Sequence, residues 1–194
     1  MKEKTTRAFQ NLETQKKEVI SLYDSLSAEQ RAFNPASDAW NLLQVLRHIV
    51  TSERLSLAYI QRKISSQSNI HKAGFSSRVR SILLKIALYL PIKFKAPRVA
   101  QVDEAQPDYE SMKSEWDQVR YGFQELIDST DPETLAKAIY RHPRAGMLNM
   151  HQAVEFMETH ISHHIKQMER IRSHAAFPGE ELRRSRNVFV MADH

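Results

Sequence analysis

The chain has 194 residues, 41% of them hydrophobic and 26% charged, with a formal net charge of +5, which is enough apolar content for one core and the size of a single domain. It contains no cysteine, so disulfides, thiolate metal sites and cysteine nucleophiles are excluded and any metal site must be built from His, Asp and Glu. Only four glycines stand beside abundant Leu, Glu, Gln, Lys and Arg, a balance that favours an all-α chain.

Met1 to Arg7 runs into an amphipathic pattern rather than an apolar signal core, so the expected location is cytoplasmic. The first helix is predicted from about Lys4 to Leu26, with Phe9, Leu12, Val19, Tyr23 and Leu26 along one face. Ser27 and Gln30 have capping-box spacing, Asn34-Pro35 breaks the chain, and Asp38 stands as the next N-cap.

The second helix is predicted from Trp40 to about Ile64, burying Leu42, Leu46 and Ile49 with Val45 and Val50 on the flanks. His48 lies at the edge of that stripe, on a mixed strip shared with Asn41, Val45, Ser52, Leu55 and Tyr59. Glu53 follows His48 by five residues and so falls on a different face. It reads as a packing acid, or one that supports a ligand, rather than as a catalytic base.

The connection from residue 66 to residue 107 is far longer than the roughly two to eight residues usual between bundle helices. Val79, Ile82, Leu83, Ile86 and Leu90 form a helical stripe that Pro91 ends. This predicts an accessory helix over Ser76 to Leu90, then an extended crossover with Pro97 and Pro107. Its apolar face is expected to pack on the bundle or on a second subunit, and a homodimer is the expected state. Lys72, Arg78, Arg80, Lys85, Lys93, Lys95 and Arg98 make this insert basic. No recognition motif or aromatic platform accompanies the charge, so no nucleic-acid partner is expected. The apolar run from Ile82 to Ile92 is interrupted by Lys85 and falls short of the roughly 20 residues that span a bilayer, so no stable membrane insertion is expected.

Asp108 caps the third main helix, whose Tyr109, Met112, Trp116, Val119, Phe123 and Leu126 face inward. Asp131-Pro132-Glu133 opens a short helix, and Tyr140 to Gly146 reads as a loop. Asn149 and Gln152 cap the last main helix, which carries Val154, Met157, Ile161, Ile165 and Met168 inward to about Ser173. The methionines fit core packing rather than haem ligation. Residues 1–173 are thus read as one helical domain with an insert at 66–107. Residues 174–194 form a tail, loosely attached or docked at an interface beyond Phe177-Pro178-Gly179.

His160 and His164 are four apart on that last helix and share its inward side, while His163 is rotated toward the flank. Such a pair can clamp one metal ion. A histidine on a half-buried face is more often satisfied by a carboxylate or a backbone carbonyl, and HxxxH is a short motif, so a third ligand is required. Asn41, Ser52, Tyr59 and Arg141 are further polar candidates for a pocket, none singled out.

Asn34-Pro35, Asp38-Ala39-Trp40-Asn41, Val45-Leu46-Arg47-His48-Ile49 and Glu53, then His142-Pro143-Arg144-Ala145-Gly146 and His160 to Gln167, together resemble the DinB/YfiT-like superfamily. The resemblance covers most of the chain outside the insert and tail. It implies a four-helix bundle of up-down-down-up course. It also implies a divalent metal, zinc, nickel or iron, bound by one histidine of helix two and two of helix four, which fall on His48, His160 and His164. The activity implied is that of a metal-dependent hydrolase or a low-molecular-weight-thiol transferase acting on a small molecule. The alternative is a non-catalytic metal- or small-ligand-binding bundle. The chain departs from the family's common Trp-Ser pairing at Ala39, before Trp40, and at Asn41, after it, and the basic insert is additional.

Overall fold

All the described helices but the first begin where the sequence supplies a side-chain acceptor for orphan backbone N–H groups. In the computed structural model, which describes residues 1–66, 108–142 and 145–179, the elements are α1 (Lys2–Asp24), α2 (Ala28–Ala32), α3 (Leu42–Ser65), α4 (Tyr109–Ser129), α5 (Pro132–Ala136), β1 (Tyr140–His142), β2 (Gly146–Leu148) and α6 (Met150–Arg172). Ser27 with Gln30, Asn41 with Gln44, and Asn149 with Gln152 form reciprocal capping boxes at α2, α3 and α6. Asp108 and Asp131 cap α4 and α5 as expected.

The cap of α3 corrects the expectation. Asp38 lies in the turn ahead of the helix. Asn41 accepts from the Gln44 backbone N–H at 2.9 Å while Gln44 accepts from that of Asn41 at 3.0 Å. A box satisfies two orphan donors where a lone Asp satisfies one, so the helix opens at Leu42 rather than Trp40.

The fold is all-α, with four long helices sharing one core. α1 packs on α4 and α6, and α3 packs on the same two. Phe9, Leu12, Val19, Tyr23 and Leu26 are all buried, as their spacing on α1 predicts. On α3, Val45 and Val50 are as fully buried as Leu42, Leu46 and Ile49, so the apolar face is wider than its central stripe. On α4 the inward position near the end belongs to Ile127, and Leu126 is half-buried.

The chain directions follow from paired contacts. Arg47 reaches Glu115, Glu53 reaches Trp116 and Arg120, and Leu57 lies against Gly122, so α3 and α4 run the same way. A Cβ on Gly122 would meet Leu57 Cδ2 at 2.7 Å, so the missing side chain lets these helices approach closely. α1 runs opposite to α4, because Lys2 donates to the Asp128 carbonyl at 2.6 Å at one end and the Tyr109 hydroxyl donates to Asp24 at 2.7 Å at the other. Helices with a common direction cannot be joined by a tight turn, which accounts for the length of chain between Ser65 and Tyr109. The predicted accessory helix over Ser76 to Leu90 lies outside the described residues, as do residues 180–194.

The segment expected to be a loop, Tyr140 to Gly146, instead contributes to an antiparallel pair with Tyr140 opposite Leu148 and His142 opposite Gly146. Gly146 has φ 74°, a conformation open to glycine and costly for other residues. Three-residue strands are too short to show alternation, which is why the pattern missed them. After α6, Phe177 is buried with its ring edge on Phe33 at 5.5 Å, and Gln30 donates to the Pro178 carbonyl at 2.9 Å. Among the described residues, no helix is long and apolar enough to cross a membrane.

Candidate metal centre

Two helices bring the three histidines singled out by the sequence to one point. The capping box at Asn41 sets the start of α3 and with it the phase of His48. The matching box at Asn149 does the same for His160 and His164 on α6. His160 Nε2 lies 3.2 Å from His48 Nε2 and 3.1 Å from His164 Nε2. The three possible donor atoms all fall within 4.8 Å of one another. His48 and His164 are buried and His160 is half-buried. His163, whose ring stands 5.2 Å from that of His164, is outside the cluster, as its helical phase predicts.

Aromatic rings hold the imidazoles in place. Trp40 tilts against His48 at 5.2 Å, and Phe156 stacks on His160 at 5.5 Å and 22°. Phe156 also lies against His142, at 4.3 Å, and Tyr140, at 6.5 Å. His142 Nδ1 accepts from the Ala145 backbone N–H at 3.0 Å, which ties the hairpin to this wall. His164 Nδ1 meets Gln167 Oε1 at 2.8 Å.

Burial first, and then the neighbouring histidines His164, His48, His163 and His142, hold the pKa of His160 well below its ordinary value. Burial and His48 push His164 down to about 3, against an opposing contribution from its hydrogen bond to Gln167. Both rings are therefore neutral at pH 7, each with one bare nitrogen. Protons cannot satisfy the cluster. His160 Nε2 can carry one hydrogen, yet it faces two other ring nitrogens at hydrogen-bonding distance, so at least one pair meets without a full bond. A cation at the point of convergence satisfies all three. An ion about 2.0–2.1 Å from three tetrahedrally disposed nitrogens would hold them roughly 3.4 Å apart. The observed separations fit that donor set, and the three histidines could hold a metal ion.

The sequence model of the DinB superfamily matches residues 11–168. The chain belongs to the DinB superfamily. No curated protein matches it. In this DinB-superfamily chain the match runs from within α1 through most of α6 and includes all three clustered histidines. Asn41, which departs from the family's common serine, fits the same role, since both side chains make strong N-caps.

The other polar candidates disperse. Glu53 is buried in a paired network away from the cluster, receiving Trp116 Nε1 at 2.8 Å and both Nε and Nη2 of Arg120 at 2.7 and 2.9 Å. Asn41 is spent on the cap, Arg141 is exposed, Tyr59 packs edge-on against Tyr140 at 6.2 Å, and the Ser52 carbonyl accepts from Ser56 at 2.8 Å. Sequence reasoning missed Trp40, Phe156 and Gln167 as supports of the ligands. Only Gln167 carried a readable signal, its three-residue spacing from His164.

Proposed function

We propose that this protein is a metal-dependent enzyme of the DinB superfamily. In this reading His48, His160 and His164 hold one divalent ion, zinc, nickel or iron, and the substrate is a small molecule. The reaction is hydrolysis or transfer to a low-molecular-weight thiol. The observation that carries the reading is the convergence of three Nε2 atoms that protons cannot satisfy together. Three protein ligands leave coordination positions open, as in catalytic rather than structural zinc sites. When bound, the ion would supply Lewis acidity, lowering the pKa of a coordinated water toward about 7 or stabilising a thiolate.

The chain's own part is preparation. Burial keeps His160 and His164 neutral and ready to donate at neutral pH. Trp40 and Phe156 fix two of the rings from outside the cluster. The homodimer, the cytoplasmic location and the absence of nucleic acid and membrane partners remain part of this proposal, with sedimentation as the check on the first.

The test is elemental analysis of protein purified without a histidine tag, followed by turnover assays. The metal-loaded protein is offered activated esters and amides, and in parallel an electrophile with a small thiol. About one ion per chain and turnover in one panel support the enzyme reading. Stoichiometric metal with turnover in neither panel would replace it with the non-catalytic binder, and no metal would remove both.

A further inference from the structure

For His164 to donate through Nε2, its single ring hydrogen must sit on Nδ1, and something must accept it there. Gln167 Oε1 stands 2.8 Å from that nitrogen, one turn further along α6. An amide oxygen accepts and an amide nitrogen donates, so with Oε1 toward the ring the glutamine selects the tautomer that leaves Nε2 bare. The chemical type of this acceptor matters as much as its position. Ligating histidines are commonly backed by a carboxylate, which adds negative charge to the centre and raises ligand basicity. Here the acceptor is a neutral amide.

We propose that Gln167 is a positioning residue of this centre, fixing His164 as an Nε2 donor through a neutral acceptor, so that no negative charge is added to the centre from that side. The inference rests on the metal reading above and adds to it the residue that sets the tautomer of one ligand. Gln167 is half-buried near the end of the helix, so its substitution does not open the core.

Cobalt(II) serves as the metal probe and azide as the anion probe, both followed by absorption, with wild type, Gln167→Leu and Gln167→Glu compared at pH 7. Gln167→Leu removes the acceptor and is expected to weaken cobalt binding about 10- to 100-fold in competition with a chelator. Gln167→Glu restores an acceptor but adds a charge. It is expected to bind cobalt at least as tightly as wild type and azide about tenfold more weakly or worse. Cobalt affinity unchanged in the leucine variant would overturn the positioning role. Azide affinity unchanged in the glutamate variant would overturn the charge argument, and should the leucine variant fail to fold, this second comparison decides alone. Wild type that binds no cobalt removes the metal reading itself, whereas wild type that binds it with no difference among variants removes only this inference.

Discussion

Glu53 and His48 sit five residues apart on α3, both buried, and the bundle treats them in opposite ways. Toward α4 the carboxylate is met in full: Arg120 grips both of its oxygens, Trp116 donates a third hydrogen bond, and Glu13 takes the remaining Arg120 nitrogen at 2.9 Å. Lys16 and Asp117 pair alongside. Toward α6 the inner nitrogen of His48 meets that of His160, which in turn meets that of His164. A buried polar group normally finds its complement. The first region follows that rule with opposite charges and holds helices in register, while the second sets imidazole against imidazole, an arrangement that a cation could complete. One helix thus carries a charge-matched contact on one face and a candidate metal site on another.

The sharpest way to break the comparison is to remove the histidines. His160→Ala and His164→Ala should each take metal content from about one ion per chain to none, and His163→Ala should leave it in place, as read by elemental analysis of untagged protein. Metal lost from the His163 variant but retained by the His160 variant would mean that α6 presents a different face.

On the paired side the expected loss is in stability. Arg120→Met strands the Glu53 carboxylate and should cost about 3–5 kcal/mol in denaturant unfolding, with metal content unchanged. The double variant Glu53→Leu/Arg120→Met should recover most of that, since no charge is left unmatched. A double variant as unstable as the single one would show that the network does more than cancel its own desolvation.

Acid should distinguish the two regions next. In metal-free protein His164 has a folded-state pKa of about 3 against an ordinary value of 6.5, so below pH 6.5 the unfolded chain takes up a proton that the folded chain refuses. Stability is then level above that pH and declines as the pH falls toward 3. Urea midpoints measured across this range should fall more gently in His164→Gln. Parallel slopes for the two proteins would contradict the assigned protonation state.

The smallest effects belong to the caps. Asn41→Ala and Asn149→Ala should each lower stability by about 0.5–2 kcal/mol in thermal unfolding. Because these boxes set the start of the two ligand-bearing helices, the same variants should also weaken metal binding, whereas Asp108→Ala at the head of α4 should affect stability alone.

Much of this could be read along the chain because it depends on short periods. The α1 stripe, the four-residue step from His160 to His164 and the Asn149-to-Gln152 box are all local. What escaped needed either competing local signals or partners far away in sequence. Asp38 and Asn41 are both plausible caps until Gln44 is seen to reciprocate. Tyr140 to His142 is too short for alternation to register. Glu53 could be placed on a different face from His48, but its partner Arg120 lies 67 residues on and nothing in the local pattern points to it. His48 lies at the edge of an apolar stripe, where helical phase alone does not settle a role. Its assignment beside the other two came from resemblance, and the structure brings its Nε2 to 3.2 Å from that of His160.

The two nitrogens linking α3 to α6 belong to residues 112 positions apart. An unfolded chain cannot offer that chelate, so any ion held there is a ligand of the native state alone. Free metal at a thousand times its dissociation constant would then raise unfolding free energy by about 4.1 kcal/mol. The ion would act as a removable crosslink between the two ends of the fold, and withdrawing it with a chelator should speed proteolysis of a protein whose peptide bonds are untouched.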